Sequence, residues 1–389
     1  MSHGVILPGA TLGVLGGGQL GRMFVHAAQK MGYFTAVLDP DADSPAGRVS
    51  HHHIRTGYQD PQGLAELARL CAAVTTEFEN VPAAALQTLA RERPVAPSAD
   101  AVAIAQHRAR EKAHFERCGV PVAPHAVIES PEQLAAVSSH LLPGILKTAT
   151  LGYDGKGQVR VGTPQELAAA WEQLRRAPCV LEKRLPLAFE CSVVLARGQD
   201  GVVVHLPVQR NLHRDGILAV TEVLEEAMPA AFARQVVDAA RSIAEGMAYV
   251  GVLCVEFFVL ADGRLVVNEI APRPHNSGHW SIDGADVSQF ELQVRAMTGL
   301  PLVQPRQHSP ALMLNLLGEL WFARGAAASP PPWNEVLGLP GCHLHLYGKA
   351  EARAGRKMGH LTMTGSSSAA VRATALRVAQ ILGITPFEA

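Results

Sequence analysis

The 389-residue sequence predicts a protein of mixed α/β and α+β class, built in three parts. A strand at Thr11–Leu15, a glycine turn and a helix at Gln19–Met31 begin a strand–helix alternation, which predicts a doubly wound parallel layer. Hairpin-like segments surround helices between Ile145 and Ile270, which predicts mostly antiparallel strands. The C-terminal residues predict a small β-rich module closed by a helix at Ala369–Leu382.

The bulk composition predicts a soluble cytoplasmic protein with neither nucleic acid nor membrane among its partners. The formal net charge is −1, so any phosphate recognition has to be local. The six cysteines are dispersed and contain no C-x-x-C pair, which fits a reducing compartment. The sequence has neither a signal-peptide pattern at its start nor an apolar run of about 18 residues.

The first glycine turn has the pattern of a dinucleotide-binding motif. Gly16, Gly18 and Gly21 satisfy G-x-G-x-x-G between a strand and a helix, and Asp39 ends the next strand. Glycine amides at a helix N-terminus bind any phosphate or other anion. The turn therefore predicts an anion site, and it leaves open a dinucleotide-dependent oxidoreductase.

A second glycine loop follows a strand that carries a cation. Lys147 lies in an apolar strand, and Gly152, Gly155 and Gly157 follow before the next strand at Val159–Val161. The loop from Gly152 to Gln158 forms a flap, whose glycine amides can fold over a polyphosphate, and lysine supplies a point charge. The loop is not a P-loop, because G-x-x-x-x-G-K-[ST] is absent. The alternative is a flexible hairpin without a ligand.

The segment Gly251–Arg273 predicts a hairpin that sets two carboxylates against each other. If Asp262 and Gly263 form a two-residue turn, Glu256 lies directly opposite Glu269. Like charges at that spacing are destabilising, and a hard cation such as Mg²⁺ between them would remove the repulsion. Alternatively, a longer turn shifts the register and separates the pair.

Further polar residues complete the pattern of an ATP site. Glu182, Lys183, Arg184 and Leu185 end an apolar strand where a planar base could bind, and Glu190 could reach sugar hydroxyls. With the lysine strand, the flap and the acidic pair, these residues predict ATP and Mg²⁺ between antiparallel sheets.

The sequence resembles the ATP-grasp superfamily and, within it, the N5-carboxyaminoimidazole ribonucleotide synthetases. The matching segments are GVLGGGQLGRM, TTEFENVP, LKTATLGYDGKGQ, EKRLPLAFECSV, NLHRDGIL, NEIAPRPHNSGHW and HLYGKAEARAGRKMGH. The resemblance implies a doubly wound domain at 1–105, an ATP-grasp domain with a mobile lid at 106–298, a C-terminal domain at 299–389, and a homodimer. It implies that ATP and bicarbonate carboxylate the exocyclic amine of 5-aminoimidazole ribonucleotide through carboxyphosphate. A formate-dependent glycinamide ribonucleotide transformylase is the alternative within the superfamily.

The resemblance also implies the site residues. It implies Mg²⁺, or Mn²⁺, on Glu256 and Glu269, with Asp154 as general base and Arg273 and Lys349 as further catalytic residues. The implied ATP contacts are Arg108, Lys147, Gly152, Tyr153, Asp154, Gly155, Lys156, Gly157, Gln158, Glu182, Lys183, Arg184, Leu185, Glu190, His213, Asn268 and Glu269. The implied contacts of the ribonucleotide and bicarbonate are Gly17, Gly18, Gln19, Leu20, Glu77, Tyr153, His275, Asn276, Ser277, Lys349, Arg356 and Lys357.

Two details qualify these expectations. In the two-residue register, Asn268 faces away from Glu269 and acts through its backbone or a neighbouring phosphate. The family's Lys-Thr-Arg-Arg-Gly-Gly-Tyr run reads Lys-Thr-Ala-Thr-Leu-Gly-Tyr here, with Ala149, Thr150 and Leu151 at the changed positions. The changes predict a stiffer flap and a weaker affinity for phosphate.

Overall fold

The structure is a computed structural model that describes residues 4–152, 157–226, 228–323, 325 and 327–387. Its N-terminal part is the predicted α/β layer, with parallel strands in the order β3-β2-β1-β4. The elements are β1 (Thr11–Leu15), α1 (Gln19–Lys30), β2 (Phe34–Leu38), β3 (His52–Ile54), α2 (Pro61–Leu70), β4 (Ala73–Thr76), α3 (Ala83–Leu89) and α4 (Ala99–Ala105).

A second, antiparallel sheet follows, with its strands in the order β5-β8-β6-β7. Its apolar face packs on α7, where Trp171 and Leu167 are buried against Leu146 and Leu181. The elements are α5 (Arg108–Arg117), β5 (His125–Ile128), α6 (Pro131–Ala135), a 3₁₀ turn (Ser139–Leu141), β6 (Gly144–Thr148), β7 (Gln158–Val161), α7 (Pro164–Gln173) and β8 (Cys179–Lys183).

A third sheet, the central sheet, runs through the rest of the chain in the order β14-β13-β9-β11-β12-β15-β17-β16, and β10 pairs with β9. Its elements are β9 (Leu187–Arg197), β10 (Val203–His205), β11 (Gln209–Arg214), β12 (Ile217–Val223), α8 (Ala230–Gly246), β13 (Gly251–Leu260), β14 (Leu265–Ala271), α9 (Ser281–Gly284), α10 (Gln289–Thr298), β15 (Ala311–Leu317), α11 (Trp333–Leu337), β16 (Cys342–Leu346), β17 (Lys357–Thr364) and α12 (Ser368–Leu382). Two 3₁₀ turns complete it, at Asn276–Gly278 and Gly318–Phe322. Within the described ranges, no helix is both long and apolar enough to span a bilayer.

The β-rich C-terminal segment is present as predicted, but its strands do not form a sheet of their own. Strand β15 pairs antiparallel with β12, so Leu314 lies opposite Val220. The sheet therefore includes strands from both sides of residue 299, where the C-terminal domain was predicted to begin. An unpaired strand edge exposes backbone donors and acceptors, and β15 satisfies those of β12. The junction is also apolar, because Leu312 and Leu314 are buried against α12. C-terminal residues thereby have a fixed position within the central sheet.

The sequence predicts one helical segment over Ala99–Cys118, and the structure instead has two helices. His107 has extended backbone angles (φ −135°, ψ 107°), so α5 begins at Arg108. The Gln106 amide stabilises the break because its Nε2 donates to the carbonyls of Glu79 and Val81, at 2.6 and 2.7 Å. The break directs the first turn of α5 towards the second sheet.

The predicted two-residue turn between β13 and β14 is wrong, although the predicted pairing of Glu256 with Glu269 is confirmed. The loop has three residues and ends at Gly263, whose φ of +82° is the left-handed conformation that follows a type I turn. This loop shifts the register by one, so Phe257 pairs with Val267. A bulge at Asn268 shifts it back and restores the facing glutamates.

Candidate active site

A cavity of about 1660 Å³ lies where the α/β layer, the second sheet and the central sheet meet. It exceeds the roughly 300–1,000 Å³ of a single small-molecule pocket, so it has room for more than one substrate. The predicted site residues that line it are Gln19, Leu20, Glu77, Arg108, Lys147, Gly152, Gln158, Glu182, Lys183, Arg184, Leu185, Glu190, His213, Glu256, Asn268, Glu269, Arg273, His275, Asn276, Lys349, Arg356 and Lys357.

Four predicted residues among those described lie off the lining: Gly17, Gly18, Gly157 and Ser277. Ser277 is fully buried behind it, where its hydroxyl contacts the Nδ1 of His275 at 2.9 Å. Tyr153, Asp154, Gly155 and Lys156 fall outside the described residues. The structure therefore describes both ends of the predicted flap, at Gly152 and Gln158.

Glu256, Glu269 and Asn268 all line this cavity, whereas the two-residue register placed Asn268 facing away from Glu269. The bulge is the physical reason, because an extra residue on one strand redirects the side chains beside it. The Oδ1 of Asn268 is buried and has no hydrogen-bond partner among the described residues. Two carboxylates and an unsatisfied amide oxygen form an all-oxygen donor set, which fits a hard divalent cation.

Each glutamate also contacts a cationic or ionisable side chain. The Nε2 of His275 lies 3.0 Å from Oε1 of Glu256, and the Nη1 of Arg108 lies 3.2 Å from Oε2 of Glu269. Burial alone would raise the pKa of Glu256, but the His275 and His213 imidazoles lower it to about 2. Glu256 is therefore a buried carboxylate held in its charged form.

Lys147 and Glu182 meet on neighbouring strands of the second sheet. The Nζ of Lys147 donates to Oε2 of Glu182 at 2.9 Å, and the Nζ of Lys112 lies 3.0 Å from Oε1 of the same carboxylate. Burial opposes ionisation, yet the two ammonium groups lower the pKa of Glu182 to about 2. Across the cavity, the Nδ1 of His213 lies 2.7 Å from Oε2 of Glu190.

The amides of the first glycine turn are occupied by carboxyl groups of the protein itself. The amides of Gly18 and Gly21 donate to the two carboxylate oxygens of Glu77, at 2.6 and 2.8 Å. The amide of Gly17 donates to Asp39 at 2.7 Å. These amides would bind the pyrophosphate of a dinucleotide, so the two carboxylates argue against the oxidoreductase alternative.

Leu151 has a φ of +60°, within the left-handed region that favours glycine. It stands where the family pattern has glycine, and its side chain is 71% exposed. A leucine in this conformation carries strain that glycine would not, so the changed residue places strain at the entry to the flap.

Glu79, Glu111 and Lys112 are charged residues that contact the site and were not predicted from the sequence. The Oε2 of Glu79 accepts from the Nε of Arg273 at 2.5 Å, across the boundary between the α/β layer and the central sheet. Glu111 accepts from the amide of Ile270 at 2.8 Å, next to Glu269. Arg108, Glu111 and Lys112 share the i, i+3, i+4 spacing of one helix face. That spacing was a usable signal, but charged residues on a helix usually indicate a solvated face.

Two ion pairs predict sensitivity to acid: the buried pair of Glu182 with Lys147 and the partly buried pair of Glu79 with Arg273. The neighbouring cations overcome the effect of burial and lower the pKa of Glu79 and Glu182 to about 2, below the ordinary value of 4.5. A carboxyl with a lowered folded-state pKa stabilises fully above its unfolded value and loses that contribution as the pH falls. We expect the free energy of unfolding in urea to fall between about pH 4.5 and pH 2.

In Glu79→Gln, the slope of the free energy of unfolding against pH should be smaller by up to about 1.4 kcal/mol per pH unit. That value is the contribution of one titrating proton. The exposed Glu66 provides the control, and Glu66→Gln should keep the wild-type slope. Equal slopes in wild type and Glu79→Gln would contradict the assignment of this ion pair.

Comparisons with known proteins agree with the fold. Residues 9–106 match the ribonucleotide synthetase preATP-grasp domain, residues 113–290 the ATP-grasp domain, and residues 311–374 the phosphoribosylaminoimidazole carboxylase C-terminal domain. The N5-carboxyaminoimidazole ribonucleotide synthase of Brucella melitensis is 44% identical over 362 residues, covering 91% of this chain and 96% of the relative.

Solved structures give the same result. The ADP complex of an N5-carboxyaminoimidazole ribonucleotide synthetase superposes with a TM-score of 0.90 at 38% identity, covering 97% of this chain and 98% of the other. The Aspergillus clavatus synthase in complex with ADP and 5-aminoimidazole ribonucleotide has a TM-score of 0.87 at 31% identity, covering 97% and 99%.

The three domain matches and the cavity between antiparallel sheets define the protein as an ATP-grasp enzyme. Sequence identity to relatives over nearly the whole chain identifies the family within this class of enzymes. The chain belongs to the N5-carboxyaminoimidazole ribonucleotide synthase family. The domain boundaries after residues 105 and 298 stay predictions.

Proposed function

We propose that this protein uses ATP and bicarbonate to carboxylate the exocyclic amine of 5-aminoimidazole ribonucleotide, a step of purine biosynthesis. The observation that carries the proposal is the pair Glu256 and Glu269, which meet in the same cavity as Lys147 and the basic residues Lys349 and Lys357. One cavity thus combines a site for a divalent cation, a lysine for polyphosphate and a separate basic group for a monophosphate.

Nucleotide binding is assigned to the space between the second and the central sheets. Lys147 and the ends of the flap line one side, and His213 with Glu190 lines the other. Glu256 and Glu269, with Asn268 beside them, would hold Mg²⁺. When bound, the ion neutralises phosphate charge and orients the transferred group. The side chains of this site act by positioning the γ-phosphoryl group for attack by bicarbonate.

Arg273 is suited to stabilise the negative charge of carboxyphosphate. Its Nε is held by Glu79 and its Nη1 donates to the carbonyl of Pro274 at 3.1 Å, so the planar guanidinium has a fixed orientation at the cavity. A donor group that is already oriented stabilises developing charge without reorganisation. His275 and Asn276 line the same end, which supports their assignment to bicarbonate.

The ribonucleotide is assigned to the side formed by the α/β layer and the C-terminal residues. Gln19, Leu20 and Glu77 line this side, as do the basic residues Lys349, Arg356 and Lys357. The basic group suits the substrate's monophosphate, since a net charge of −1 provides no long-range attraction. Asp154 would accept the proton that the amine loses on carboxylation.

Two further expectations belong to this proposal. We expect the enzyme to work in the cytoplasm, in line with six unpaired cysteines. We also expect a homodimer, which light scattering after gel filtration would test.

Phosphate release with MgATP and bicarbonate tests the proposal directly. We expect release to depend on 5-aminoimidazole ribonucleotide and to match, mole for mole, the amount of that substrate consumed. Glycinamide ribonucleotide with formate serves as the comparison substrate pair and should give no release above background. Release that ignores the aminoimidazole substrate, or prefers the comparison pair, would reject the substrate assignment.

A further inference from the structure

The buried trio Lys112, Glu182 and Lys147 has two positive charges and one negative charge. Glu182 lies between the two ammonium groups, 3.0 Å from Lys112 and 2.9 Å from Lys147. All three side chains are almost entirely buried, at 1%, 6% and 7% exposure. Since burying a charge is costly unless it is paired, a second lysine beside one carboxylate calls for an explanation.

The two lysines differ in their access to the nucleotide space. Lys147 lines the cavity together with Glu182, whereas Lys112 lies behind Glu182 on α5 and is not part of the lining. An incoming polyphosphate can therefore reach the ammonium group of Lys147 but not that of Lys112. Lys147 is the cation that a phosphate would draw away from Glu182.

Moving Lys147 to a phosphate would leave Glu182 without a partner if that lysine were its only cation. A buried carboxylate that loses its counter-charge is strongly destabilised. Lys112 prevents this, because it stays within ion-pair distance of the other carboxylate oxygen. Glu182 thus keeps one ammonium group within ion-pair distance while Lys147 contacts the phosphate.

We infer that Lys112 is a positioning residue for ATP binding: it neutralises Glu182 so that Lys147 is free to bind the polyphosphate. The inference rests on the proposed function only in that the cavity binds ATP. It adds to the site a residue that has no contact with the nucleotide and acts through Glu182.

Lys112→Met tests the role by removing the charge while keeping an unbranched side chain. Lys147 then becomes the sole cation of Glu182, and phosphate has to compete for it. We expect the Kd for the magnesium complex of adenylyl imidodiphosphate, measured by calorimetry without the other substrates, to rise at least about tenfold. The Kd of wild type gives the reference value.

The double variant Lys112→Met/Glu182→Gln separates charge balance from a merely structural role. Removing the carboxylate as well frees Lys147 again, so the double variant should bind the analogue more tightly than Lys112→Met does. Structural damage from two buried substitutions would instead weaken binding further. Arg372→Met is the control, because Arg372 contacts Glu222 and Glu226 and is not part of the cavity lining. It should keep the wild-type Kd.

Wild-type affinity in Lys112→Met, or a double variant that binds no better than Lys112→Met, would overturn the inference. A wild-type protein that does not bind the analogue would overturn both this inference and the proposed function. Normal analogue binding with phosphate release that ignores the ribonucleotide would reject the substrate assignment alone.

Discussion

Glu269→Gln is expected to reduce kcat by about three orders of magnitude, because several kcal/mol of charge stabilisation by the metal would be lost. The substitution keeps the size of the side chain and removes one of the two facing negative charges. It also removes the carboxylate that contacts Arg108 at 3.2 Å. Steady-state phosphate release, measured over a range of Mg²⁺ concentrations, checks both the loss of turnover and a higher Mg²⁺ requirement.

Glu291→Gln is the matched control for this experiment. Glu291 is also partly buried and paired with an arginine, Arg295, at 2.5 Å, but it lies on α10 and not on the cavity lining. The control should keep wild-type turnover and Mg²⁺ dependence. If Glu269→Gln behaved like this control, the assignment of the metal to the facing glutamates would be wrong.

Glu79→Gln is expected to reduce kcat by about a hundredfold while leaving the Kd for the ATP analogue unchanged. Glu79 is the carboxylate that orients Arg273, and its removal leaves a partly buried guanidinium without its counter-charge. Breaking a fully buried pair costs about 3–5 kcal/mol and breaking an exposed pair about 0–1 kcal/mol, so this partly buried pair should cost an amount between the two. An arginine that loses its fixed orientation also stabilises carboxyphosphate less well, which lowers turnover.

Urea unfolding and steady-state kinetics measure the two effects separately. Asp286→Asn is the control, because it disrupts an ion pair with Arg306, which is 84% exposed. Exposed pairs contribute about 0–1 kcal/mol, so the control should leave stability and turnover nearly unchanged. A Glu79→Gln variant with wild-type kcat would show that Arg273 acts without this partner, or does not act at all.

For the hairpin of β13 and β14, the sequence predicted the pairing of the two glutamates correctly and the length of the turn incorrectly. The glutamates do face each other, as the sequence predicted, but the register was derived from a turn that is one residue too short. The bulge at Asn268 compensated for that error. Asp-Gly is compatible with both two-residue and three-residue loops, and the sequence pattern around Asn268 does not reveal a bulge.

The burial of the charged face of α5 could not be predicted from the sequence, for a different reason. A helix with Arg108, Glu111 and Lys112 on one face is usually solvated, and here partners from other elements bury all three. Those partners are Glu269 and the amide of Ile270 on β14, and Glu182 on β8. Sequence separations of 70 to more than 150 residues carry no local pattern, so their proximity depends on the fold.

The amino-acid sequence by itself determined the alternation of strands and helices, the glycine turns, the lysine strand and the two metal-ligand candidates. Each of these follows from local periodicity or from residues close together in the chain. The tertiary structure alone decided that Glu77 occupies the first glycine turn, that the C-terminal strands extend the central sheet, and that Glu79 and Lys112 belong to the site. The physical reason is that buried charges and sheet edges are satisfied by partners distant in sequence, which chain packing brings together.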